Sequence, residues 1–289
     1  MKKTTIETTI GRTQWVACAL AWCVYVCVCQ SWLQAQEFRI DSHVYSDDSQ
    51  QPVSHNITLF SKKLVCDFRM SEDAQPHPLE IIVFDPRQRM LVLMDTTRKC
   101  RVEIPEMQTV KLLEGLRKET QQNEQTRFLA DEEFKEQTDW STGWVTLSSP
   151  TMVYRLKGQP PEDVRQLPVY FDFLNSFTRL NATDPTKLPP FSRMRLNQTI
   201  QKLGWLPTEV EVHISSNGFF REPIRAHSKH VVTNGLSKSD LDQIEMAKKY
   251  WVLFELVELP QYRGLSKHLI TRKFSRRDEL AESDKGDLR

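Results

Sequence analysis

Few residues in this chain have the type and spacing for chemistry. His227 and His230, in "HSKH", leave a two-residue gap that suits a metal held in a turn. His43 precedes Asp47 and Asp48 in "SHVYSDDS", a group able to hold a cation. The first group has no third Cys, His or carboxylate recurring at ligand spacing, and a zinc site needs three or four such donors. Two solvated loop histidines explain the first group. A strand end running into a polar loop explains the second.

Catalytic signatures are missing in the same way. After residue 35 there is no G-x-S-x-G, H-E-x-x-H, C-x-x-C, P-loop or G-x-G-x-x-G. Only nine glycines occur in the whole chain, too few for a phosphate-cradling loop. Carboxylates are abundant, but no pair stands in an apolar context that would tune it for acid–base work. The reading is a non-enzyme with no catalytic residue, metal or cofactor. Asn-x-Thr sequons at Asn56, Asn181 and Asn197 would be surface sites in a glycosylating source.

The N-terminus has its own logic. Lys2, Lys3 and Arg12 precede an apolar run from Trp15 to Cys29, followed by "QSWLQA". That is the order of a secretory signal, with Ala35 as the last residue removed. The run is shorter than the ~20 residues a membrane span needs. An uncleaved anchor is the alternative. Without residues 1–35 the chain carries 36 basic and 37 acidic residues, so no phosphate-backbone (nucleic-acid) partner is expected. Four of the six cysteines leave with that segment. The remaining pair, Cys66 and Cys100, read as small buried hydrophobes on the apolar faces of strands about three spacings apart, too far for a disulfide.

The elements that would position any site are mainly strands. "FRIDSHVY", "LVCDFRM", "CRVEI", "RMRLNQTI" and "EVEVHI" alternate apolar and charged residues. "WVTLSS", "MVYRL" and "YWVLFELVEL" bring the expectation to nine to eleven strands. Three helices interrupt them: "MQTVKLLEGLRKE", "PVYFDFLNSFTRLN" and "SKSDLDQIEMAKKY", the last capped by Ser239 with Asp242 following. The expected fold is mainly β with α (α+β): a curved antiparallel sheet or unclosed β-barrel with about three helices. Its parts are a signal at 1–35, one β-rich domain at 36–262, and a charged tail at 263–289.

One hairpin breaks the alternation. In "EIIVFDPRQRMLVLMD" neither Ile81–Phe84 nor Met90–Met94 has a polar face. Both faces avoid water, and a concave apolar wall is what an apolar ligand needs. Phe68, Ile82, Phe84, Leu91 and Leu93 are the expected cavity lining, with Ile81, Val83, Val92 and Met94 on the packed side. A fully packed core with no cavity explains the same hairpin.

The export signal, the meander "LVCDFRM … LEIIVFDPRQRMLVLMDTTRKCRVEI" and "WLPTEVEVHISSNG" together resemble the periplasmic lipoprotein-carrier (lipoprotein-sorting) family. The resemblance implies an unclosed antiparallel barrel, a helical lid, and an apolar cavity for an acyl chain or a lipidated protein. The family's lid-anchoring arginine has no clear match. Arg69 and Arg101 are the candidates, and both alternate toward solvent. Three functions stand open: an exported carrier or binder of an apolar ligand, an envelope structural or protein-interaction module with a packed core, and, last, a hydrolase whose residues lie far apart in sequence.

Overall fold

The computed structural model describes residues 37–265, apart from 47–48, 125, 131, 185–186 and 217–222. The signal with Ala35, the cation candidates Asp47 and Asp48, and nearly all of the charged tail lie outside the described residues.

The fold is mainly β with α. Twelve strands form one unclosed sheet in the order β12-β6-β5-β4-β3-β2-β1-β11-β10-β9-β8-β7. The first meander runs β1 (Phe38–Ser46), β2 (Ser54–Phe60), β3 (Val65–Met70), β4 (Pro78–Asp85), β5 (Met90–Asp95) and β6 (Cys100–Pro105). The second runs β7 (Lys135–Asp139), β8 (Trp144–Ser148), β9 (Met152–Gln159), β10 (Leu206–Ile214) and β11 (Ile224–Asn234). They join where β1 pairs with β11, from Phe38 opposite Asn234 to Ser46 opposite Ala226. Every neighbour is antiparallel except the two-residue β12 (Glu255–Leu256), which lies parallel to β6. The opposite edge, β7, carries Lys135, Glu136 and Gln137 exposed, and charge blunts edge-to-edge pairing.

The tight turns follow from local chemistry. At the β4–β5 turn the Asp85 carboxylate accepts the backbone N–H groups of Arg87 and Gln88 at 2.8 and 3.1 Å. At the β5–β6 turn Asp95 accepts the Arg98 N–H at 2.8 Å. Each turn closes on a left-handed residue, Arg89 (φ 52°) or Lys99 (φ 54°). Asp initiates such turns because its side chain satisfies the backbone two or three residues on.

Six α-helices are described, twice the expected number: α1 (Glu106–Gln122), α2 (Arg127–Ala130), α3 (Gln166–Arg179), α4 (Phe191–Leu203), α5 (Lys238–Leu253) and α6 (Leu259–Tyr262). A 3-10 turn, Leu180–Thr183, extends α3. Two expected strands are among them. "RMRLNQTI" lies within α4. Its buried Leu196 and Ile200 are four apart, a spacing that a strand face and a helix face both allow. "YWVLFELVEL" begins as the last turn of α5, and only Glu255–Leu256 pair with β6. The cap of α5 is Ser237, two residues before the expected Ser239. Its hydroxyl accepts the Asp240 N–H at 3.1 Å, and the Asp240 carboxylate accepts the Ser237 N–H at 2.9 Å. Both Ser-x-x-Asp frames exist in the sequence. Asp240 also takes the Arg39 guanidinium of β1 at 2.9 Å, a tertiary contact that favours the earlier frame.

The apolar residues divide into two main clusters, one on each face of the sheet. On one face Ile57, Leu59, Cys66, Phe68, Ile81, Val83, Val92 and Met94 pack under Ile244 and Ala247 of α5. On the other, Phe38, Phe60, Ile82, Phe84, Leu91 and Leu93 pack against Tyr170, Phe171 and Phe173 of α3 and Leu196 and Ile200 of α4. Helices thus cover both faces of the β4–β5 hairpin, which is why its strands do not alternate.

Candidate functional site

The hairpin residues divide by register. Ile82 opposes Leu93 and Phe84 opposes Leu91 across β4 and β5, and all four lie on the α3 face. Phe84, Leu91 and Leu93 are fully buried. The Phe84 ring stands 6.3 Å from the Phe173 ring, and Phe173 meets Phe60 edge-on at 5.7 Å. Phe68 does not join them. It opposes Ile81 and points into the α5 face. The odd–even offset between β3 and β4 sets this, and Val65 takes the α3-facing role on β3. The cysteines separate for the same reason. Cys66 lies in the α5-face cluster and Cys100 in the α3-face cluster, so they do not share an apolar face. Both are free and buried, and burial pushes the Cys66 thiol up to about 12, leaving it protonated and inert.

A polar seam crosses the α3 face beside the apolar cluster. His230 on β11 opposes Ser42 on β1, and Ser42 opposes Asn56 on β2. The two His230 ring nitrogens meet the hydroxyls of Ser42 (2.8 Å) and Ser228 (2.9 Å). Asp67 on β3 accepts from Thr58 at 2.7 Å and from Asn56 at 2.9 Å. Ser42–His230 has the contact of a nucleophile–base pair. Burial, with the Arg193 charge, pushes the imidazole down to about 4. Such a ring is a poor proton acceptor for a serine near neutrality. It is a neutral group satisfied at both nitrogens.

Three expectations are corrected. His227 and His230 sit in β11, not in a loop or turn, and being three apart they face opposite sides of the sheet. Asp67 is buried on the α3 face rather than solvated, while Arg69, two residues on, is exposed as expected. Arg101 lies on the α5 face, where it donates to the Phe254 carbonyl and to Glu103. Of the sequons, Asn197 is fully buried in α4 and donates to Thr178 at 3.0 Å, so it is no surface site.

Asp67 yields a pH prediction. Burial raises its carboxyl to about 6, against the two hydrogen bonds that favour the charged form. The unfolded value is near ~3.9. The native state therefore binds the extra proton between about pH 4 and 6, and stability falls as pH rises through that window. A two-unit shift corresponds to at most about 3 kcal/mol. Carboxylates held low, such as Asp41 and Asp240, slope the other way. The informative quantity is thus the difference between parent and Asp67→Asn. Urea midpoints should show the variant gaining on the parent between pH 4.5 and 7.5. A pH-independent difference would mean Asp67 does not titrate there.

On the α5 face, three candidate ligands meet that sequence spacing did not group. His43 and Asp41 are two apart on β1, and His55 on β2 lies directly opposite His43. Asp41 Oδ1 is 2.9 Å from His55 Nε2 and 3.5 Å from His43 Nδ1. The two imidazoles stack at 4.3 Å. The signal was present in the alternation of β1 and in His55, but only knowledge of the β1–β2 register pairs them. The same face carries a cleft of about 330 Å³ lined by Leu64, Trp251, Lys63, Arg87 and Lys248. It lies outside the expected lining, at the β2–β3 and β4–β5 turns.

Among the described residues, no helix is long and apolar enough to cross a membrane. No family model matches the chain, and no curated protein matches it. Among solved structures, two crystal forms of PNGF-II are similar at 11% identity, with TM-scores of 0.32 and 0.31. The match covers 75% of this chain and 34% or 33% of theirs, so the chain spans about one third of the length of PNGF-II.

Proposed function

We propose that the chain is an exported, non-enzymatic carrier or binder of an apolar ligand: an acyl chain, a lipid or a lipidated protein. In this reading the sheet is a curved, unclosed barrel, and α3 stands where the ligand would lie. One observation carries it. Strands from both meanders, β1–β6 on one side and β8–β10 on the other, send apolar side chains to the same aromatic helix stripe. The stripe is Tyr170, Phe173 and their neighbours, and the opposing wall includes Ile82, Phe84, Leu91 and Leu93.

An acyl chain in place of these rings would exchange one apolar contact for another, at small net cost. The polar ties of α3 are at its ends or its exposed side. Gln166 donates to Asn234 at 2.6 Å, Arg89 holds Asp172 at 2.7 Å, and Arg179 pairs with Glu106. Displacement would have to break the buried ties of its last turn, where Ser176 and Arg179 meet Glu106 and Thr178 meets Asn197. The resemblance to lipoprotein carriers belongs to the same reading, as does the export expected from residues 1–35.

The second reading, an envelope interaction module with a packed core, is favoured by the full burial of Phe84, Leu91 and Leu93. Native mass spectrometry of protein from its own host, with titration of an apolar dye, separates the two. Co-purified lipid or stoichiometric dye uptake supports the carrier. Neither lipid nor dye on a folded parent protein leaves the packed module.

A further inference from the structure

We infer that Asp41, His43 and His55 form a binding site for one divalent transition-metal ion of the zinc, copper or nickel class. The site lies on the α5 face of the sheet, away from the α3 wall, and does not depend on the carrier reading.

The argument begins with strand geometry. Residues two apart on one strand share a face, and directly opposed residues on neighbouring strands have Cβ atoms about 4.5–5.5 Å apart. Asp41, His43 and His55 occupy those three positions. Their donor atoms all lie within 4.8 Å of one another. Donors about 2.0–2.1 Å from a tetrahedral ion sit roughly 3.3 Å apart. The observed carboxylate–imidazole separations, 2.9 and 3.5 Å, bracket that value.

The surroundings suit an ion held by three protein ligands with an open position. Asp41 Oδ2 is fixed by Arg39 at 2.6 Å, which orients the carboxylate and leaves Oδ1 for a ligand. All three side chains are partly open, at 23, 38 and 26% exposure for Asp41, His43 and His55. The stacked imidazoles lie within 9° of parallel, so their lone pairs do not yet converge. Rotation of one exposed ring brings both onto the ion, and the loss of a ring stack is small beside two metal–nitrogen bonds. Two imidazoles and one carboxylate match borderline ions rather than calcium or magnesium. Lys229 opposes His43 from β11 and adds a like charge beside the ion, which weakens binding relative to a buried structural site.

Tag-free protein lacking residues 1–35 should be titrated with zinc chloride by calorimetry and with copper sulfate by electron paramagnetic resonance. The expected result is one equivalent bound, with nitrogen hyperfine structure from imidazole in the copper spectrum. His55→Ala, His55→Gln and His43→Ala should each weaken binding by at least about tenfold, while their circular dichroism matches the parent. His227→Ala, on the same face one strand away, should bind as the parent does. No single-equivalent binding, or binding equally unaffected by the His43 and His55 variants, overturns the assignment. Equal weakening in His227→Ala overturns it too.

Discussion

Replacing Phe84 by alanine is expected to cost about 3–5 kcal/mol, the loss of a packed core phenylalanine and not of a cavity-lining one. Its side chain is fully buried. Phe173 lies on one side of the ring, and the Arg89 guanidinium stands 5.7 Å from its centroid. Removing the ring leaves a void that β4, held by β3 and β5, cannot close without breaking paired backbone. Val83→Ala on the opposite face, under α5, deletes less volume and should cost about 1–3 kcal/mol. Denaturant midpoints give both values. A Phe84→Ala loss below ~1 kcal/mol would mean that α3 does not pack on this wall in solution. Dye uptake adds a second comparison. If the carrier reading holds, Phe84→Ala should alter dye affinity per folded molecule, and Val83→Ala should leave it nearly unchanged. The same result for both variants would separate the wall from any ligand.

The hairpin also marks how far sequence alone reaches. That both its faces are covered was readable from the missing alternation at Ile81–Phe84 and Met90–Met94. So was the division of those residues into two registers. Their coverings were less visible. The α3 stripe was clear from Tyr170, Phe173 and Phe177, but α4 was hidden because Leu196 and Ile200 satisfy period two as well as period four. β11 was missed because "IRAHSKHVVTN" carries polar residues on both faces. One face of it is solvated and the other meets the Ser42–His230 seam, so no apolar periodicity exists to be read. The metal-competent cluster shows the same limit. Asp41 and His43 are neighbours in sequence. His55 reaches them through a cross-strand register that no spacing rule encodes.

Glu106→Ala is expected to cost about 3–5 kcal/mol, comparable to Phe84→Ala, though the residue is polar. Glu106 is the first residue of α1 and its carboxylate is buried. It pairs with Arg89 from the β4–β5 turn and Arg179 from the end of α3, and accepts from Ser176 at 2.8 Å. The Glu106 backbone N–H also donates to the Arg89 carbonyl at 2.9 Å. One carboxylate thus ties α1, α3 and the hairpin turn together. Its removal strands the Arg179 guanidinium, whose side chain is 16% exposed, and that uncompensated charge dominates the loss. Arg89 is 49% exposed and can turn to water, so Arg89→Ala should cost clearly less than Glu106→Ala. A double substitution, Glu106→Gln with Arg179→Met, removes both charges and should recover part of the loss. Recovery distinguishes a stranded charge from simple loss of packing, which the second change would worsen. The same tie bears on the carrier reading, because it holds the C-terminal end of α3 against the wall. Glu106→Gln should leave the protein folded while loosening that end. Faster dye uptake than the parent in stopped-flow mixing would fit a displaceable α3, and an unchanged absence of uptake in both proteins would return the function to the packed module.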